Sequence, residues 1–132
     1  MSIVPIYASL LAFLFFVLSV RVIRQRGSLR VALGDQGHAS LIRAIGVHAN
    51  FAEYVPFTLL LLAFAEMQNL RAGFLHFLCV VLLLGRLSHA YGVSQAKENF
   101  RFRIAGMLAT FFVMIATALY LLFISLYARL PG

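Results

Sequence analysis

Four apolar runs, each long enough to cross a bilayer, constrain this chain more than anything else in it. They fall at about residues 3–20, 40–65, 73–91 and 104–127. The first, 18 residues long, would measure about 27 Å as a helix, close to the hydrocarbon thickness of a membrane. Helices are required, because four strands cannot close a barrel and open sheet edges cannot face lipid. The predicted fold class is therefore all-α: an integral membrane bundle of four transmembrane helices, antiparallel and up-down, in a single domain over residues 1–132. Composition agrees, since 63% of the 132 residues are hydrophobic and 11% are charged. The first run lacks a basic leader and carries its positive charge after it, so it reads as a retained span rather than a signal peptide.

The net charge of +7 does not imply nucleic acid, because the basic residues cluster in connectors beside the oily runs. The first connector, "RVIRQRGSLRVALGDQGHA", and the third, "GVSQAKENFRFR", hold Arg21, Arg24, Arg26, Arg30, Lys97, Arg101 and Arg103. Arg43 lies just beyond the first connector. The opposite side has only Arg71 and Arg129. The positive-inside rule then makes connectors one and three cytoplasmic and puts both termini outside. "GDQG" reads as a turn, and "EMQNLRA" is a short link between spans two and three. Tyr7 and Tyr127 suit the membrane interface. Cys79, the sole cysteine, reads as a small buried hydrophobe.

The chemistry concentrates in "RAIGVHANFAEYVPFTLLLLAFAE", residues 43–66. At about 100° per residue, Arg43, Asn50, Glu53, Tyr54 and Phe57 share an arc of about 100°, and His48 lies on the other side. Pro56 frees the carbonyl of Ala52 and predicts a bend beside Glu53. In "GRLSHAYG" of span three, Arg86 and His89 are three apart and share a face. Ionisable groups at membrane depth cost about 2.5–3.5 kcal/mol each and are candidates for function. Glu53 could simply pair with Arg86 or Arg43. Yet one carboxylate cannot neutralise Arg24, Arg43, Arg86, Arg101 and Arg103 together. A cleft with surplus guanidinium invites a small anion, which arginine binds in bidentate fashion, and Glu53 would take a ligand's ammonium. The histidines have no spacing that makes a metal triad, so no metal site is predicted.

"HANFAEYVP" together with "GRLSHAYG" resembles the MAPEG superfamily, the membrane-associated proteins in eicosanoid and glutathione metabolism, in its small bacterial branch. The resemblance also takes in "GDQG" and "FRFRIAGM" and covers nearly the whole chain. It implies a homotrimer in a bacterial inner membrane, with glutathione as co-substrate in a cleft between subunits near the cytoplasmic face. It also implies a lipophilic electrophile as second substrate. Carried over, Arg24, Asn50, Glu53, Tyr54, Arg86 and His89 would bind glutathione, and Arg43, on the same stripe of span two, would join them. Arg101 or Arg103 would stabilise the thiolate. The chain departs from the eicosanoid-forming members at two positions, where Gly46 replaces an arginine and Val93 a tyrosine.

The expected activity is that of a glutathione-dependent transferase or peroxidase. Arginine beside the thiol, whose ordinary pKa is about 8.5, would favour the nucleophilic thiolate. The alternatives are a non-catalytic glutathione binder or scaffold of the same fold, and a small four-span multidrug exporter. The exporter is disfavoured because span one has no acid and arginines surround Glu53.

Overall fold

A computed structural model describes residues 1–130, so the last two residues of the expected single domain lie outside the described residues. The described residues form four helices and no strands: α1 (Val4–Leu29), α2 (Ala39–Met67), α3 (Ala72–Ser94) and α4 (Phe100–Tyr127). Each is long and apolar enough to cross a membrane.

The helices outrun the oily segments that announced them. α1 continues to Leu29, so Arg21, Arg24 and Arg26 are helical rather than part of a connector. Likewise Gly92–Ser94 finish α3, and Phe100–Arg103 begin α4. Hydropathy marks where lipid ends, and backbone hydrogen bonding continues into the water interface. α2 runs through Pro56 as one helix.

Local chemistry explains the ends. α1 stops at Arg30, which adopts φ 55° in the left-handed region. The loop after it turns at Gly34 and Gly37, both at positive φ, as "GDQG" predicted. Arg26 steadies that loop by donating from Nη1 to the Gly34 carbonyl at 2.7 Å. α4 starts at Asn99, whose side chain accepts from the Arg101 backbone N–H at 3.1 Å.

The start of α1 has no side-chain cap of its own. Glu66, in the last turn of α2, supplies one. Its carboxylate accepts from the backbone N–H groups of Ser2, Ile3 (2.7 Å) and Val4 (2.9 Å). Further along the same seam, Ser19 meets His48, and Gln25 meets Ser40.

Each helix buries a narrow stripe. In α3 the buried residues are Leu75, Leu78, Cys79, Leu82, Gly85, Arg86, His89, Gly92 and Val93, a spacing of threes and fours. α3 meets α4 along a seam of glycines. A Cβ at Gly106 would stand 2.5 Å from the Gly85 carbonyl oxygen and 2.6 Å from His89 Cβ. A Cβ at Gly92 would stand 2.7 Å from the Arg103 backbone nitrogen. Small residues thus let two backbones touch, as membrane helices require where lipid offers no hydrophobic drive.

Candidate functional site

Arg86 lies in the buried stripe of α3, in line with the core leucines, and is only 1% exposed. Its Nη2 donates to Asn50 Oδ1 on α2 at 2.7 Å and reaches His89 Nδ1 at 3.5 Å. Its Nη1 donates to Thr110 Oγ1 on α4 at 3.4 Å and to the Met107 sulfur at 3.9 Å. Its Nε has no hydrogen-bond partner among the described residues. The guanidinium also lies over the ring of Phe51, 5.7 Å from its centre.

A buried guanidinium is ordinarily matched by a carboxylate, because stripping an ion of water costs several kcal/mol. Every protein partner of Arg86 is instead neutral. Thr110 holds its place by donating to the Gly106 carbonyl at 2.8 Å, which leaves its oxygen to accept from Arg86. One guanidinium charge is thus held here without a carboxylate partner among the described residues, and an acceptor is wanting at Nε.

The nine residues singled out in the sequence divide into two groups. Asn50, Arg86 and His89 are gathered inside the bundle, bridging α2 and α3. Glu53 stands elsewhere. On α2 it lies about 160° from the core-facing Phe51, so it points away from the bundle, exposed. Pairing of Glu53 with Arg86 or Arg43 does not occur. Among the described residues the ion pair is Arg103 with Glu98, at 2.7 Å, with both side chains partly exposed. Arg43 and Tyr54 sit half-buried at the inner edge of the same arc, and Tyr54 packs edge-on against Phe111 of α4 at 5.4 Å. Arg24 is exposed and lines a groove of about 390 Å³ with Phe16, Val17, Val20, Arg21 and Gln25. Arg101 is exposed at the start of α4.

Tyr91 turns outward, 56% exposed, and packs edge-on against Phe102. It brings no hydroxyl to the cluster, where Val93 is buried. Cys79 is fully buried among apolar side chains, as read from the sequence. Among the described residues, no group of three or more His, Cys, Asp or Glu side chains could hold a metal ion.

Sequence reasoning missed Thr110, Met107 and Phe51, which complete the surroundings of Arg86. Apolar or hydroxyl residues in an oily run carry no signal of their own. Thr110 and Met107 approach Arg86 from α4, and Phe51 approaches it from α2, so their part is visible only once the helices are paired.

A family model described as the MAPEG family matches residues 4–123. The chain is 40% identical over 114 residues to inner membrane protein YecN of Escherichia coli strain K12, covering 86% of each chain. The same figures hold for inner membrane protein YecN of Escherichia coli O6:H1, strain CFT073. No solved structure matches. Four membrane-length helices, the Asn50–Arg86–His89 cluster and a family match over most of the sequence agree: the chain belongs to the MAPEG family of integral membrane proteins.

Proposed function

We propose that this protein is a glutathione-dependent transferase or peroxidase acting on lipophilic electrophiles. The observation that carries the reading is the guanidinium of Arg86, buried among neutral partners with Nε unsatisfied. Such a group fits a ligand that brings its own negative charge. Glutathione has two carboxylates, one ammonium and a thiol, and MAPEG membership supports a glutathione-related role.

The outward group completes the proposal. A lone carboxylate facing hydrocarbon is costly, and Glu53 stands exposed on a spanning helix with no partner among the described residues. A second copy of the chain would cover it. We place glutathione in a cleft between protomers of a homotrimer, with Glu53, Tyr54 and Arg43 from one copy facing the α1 groove and Arg24 of its neighbour. Glu53 would receive the ligand's ammonium. The helices run antiparallel, up and down, supported by the meeting of Glu66 with Val4 and of Ser40 with Gln25. The inner membrane is the proposed location, supported by the YecN relatives, with the arginine-rich ends cytoplasmic and both termini outside.

Arg101 is the better candidate to hold the thiolate, because Arg103 is engaged by Glu98. In conjugation the thiol proton leaves to solvent, the sulfur attacks an electrophilic carbon, the C–S bond forms and the leaving group departs with its electron pair. The electrophile would enter from lipid along the oily surface beyond Pro56.

A second reading, glutathione binding without turnover, is favoured by Tyr91, which turns outward and leaves Val93 without a hydroxyl substitute. Purified protein incubated with glutathione and a chlorinated nitrobenzene separates the two. Thioether formation above the uncatalysed rate supports the enzyme. Binding without it supports the second reading, and neither would overturn both.

A further inference from the structure

His48 belongs to the polar stretch of α2 but not to its polar cluster, and it is not isolated from Arg86. Its ring stacks on Phe15 of α1, centres 4.6 Å apart and planes 22° apart. Phe15 stacks in turn on Phe51, 5.2 Å away at 20°. Phe51 is buried, and its ring carries the Arg86 guanidinium at 5.7 Å. Three rings from two helices thus form a column that ends under a cation on a third.

The far end of the column is pinned. Ser19 donates to the Phe15 carbonyl at 2.9 Å and stands 3.0 Å from His48 Nε2. With the serine proton on the carbonyl, His48 Nε2 is left to donate to the serine oxygen. That bond fixes the rotation of the imidazole, and so the face it offers Phe15. Near-parallel rings packed between two helices have little freedom to slide.

We propose that His48 is a positioning residue for Arg86, acting through the Phe15–Phe51 column. The idea rests on the reading above that Arg86 captures the ligand's anion. His48 need not touch ligand. It backs Phe15, Phe15 backs Phe51, and Phe51 gives the guanidinium an electron-rich floor where no carboxylate does. The hydrogen bonds to Asn50 and Thr110 then set the in-plane direction of the guanidinium.

The test uses full-length protein in detergent with nitrogen-15-labelled arginine. The Arg86 Nε–H resonance, assigned by its loss in Arg86→Lys, is expected to be displaced upfield by the Phe51 ring. In Phe51→Leu it should return toward the ordinary arginine position. In His48→Ala it should move in the same direction, and His48→Phe, which keeps a ring to stack, should restore it. Glutathione affinity should follow, weakening about three- to tenfold in His48→Ala and recovering in His48→Phe. If His48→Ala does not fold, Ser19→Ala, which frees the imidazole, serves in its place with a smaller shift in the same direction. An Arg86 resonance unchanged in His48→Ala, or in Ser19→Ala where that substitute is used, overturns the proposal. If the wild type binds no glutathione, the ligand reading fails and the resonance still decides the column.

Discussion

Arg86 on α3 and Asn50 on α2 are joined by a 2.7 Å hydrogen bond in which a buried cation meets an amide rather than a carboxylate. The amide orients the guanidinium without cancelling its charge. Hydrogen bonds to charged groups contribute about 1.5–3 kcal/mol. Asn50→Leu should therefore lower stability by about 2 kcal/mol, and Asn50→Asp, by neutralising Arg86, should hold the fold but weaken anion binding at least tenfold. Thermal unfolding in detergent and glutathione titration of the two variants measure the two effects separately.

Glu53 leads to the opposite pattern. It touches no partner among the described residues, so Glu53→Gln should leave the unfolding of a single protomer nearly unchanged. Its loss should instead weaken glutathione binding about tenfold, the scale of one charge-assisted hydrogen bond. Calorimetric titration checks the affinity, and unfolding in a monomerising detergent checks the stability.

The α3–α4 seam predicts a sharp contrast among glycines. Gly106→Ala would push a methyl against the Gly85 carbonyl and His89, with backbone on one side and no flexible end to yield. A loss of about 1–3 kcal/mol is expected. Gly46→Ala has nothing within 4 Å of the new methyl and should stabilise by up to about 1 kcal/mol through helix propensity alone. Thermal unfolding of the two variants side by side tests the contrast.

Glu66 is predicted to tie α2 to the start of α1. Glu66→Ala removes the acceptor for three backbone N–H groups and should cost about 1–2 kcal/mol. Glu66→Gln keeps one acceptor oxygen and should lose less. Hydrogen exchange at Ile3 and Val4 should accelerate most in Glu66→Ala.

Much of this architecture was legible in the sequence. Hydropathy marked the four helices, because lipid leaves few other solutions for the backbone. Helical spacing brought Arg86 and His89 together and sent His48 to the far side, which the structure shows to face α1. It could not say which edge of an arc faces inward. Asn50 and Glu53 stand only about 60° apart on that arc, yet Asn50 reaches Arg86 and Glu53, at the outer edge, leaves the bundle. The Glu66 cap was hidden because it joins residues more than sixty apart. Its one sequence signal is an acid at an end of the bundle away from most arginines. The glycine seam had a signal too, in Gly85 and Gly92 seven apart on one helix face.

The central claim is that Arg86, together with the arginines of the proposed cleft, holds a ligand through its negative charge. Titration calorimetry on the unmodified protein, comparing glutathione with its dimethyl ester, tests this without altering the fold. The account predicts saturable binding of glutathione and loss of that binding when both carboxylates are esterified. Equal binding of the two, or no binding of either, would contradict it.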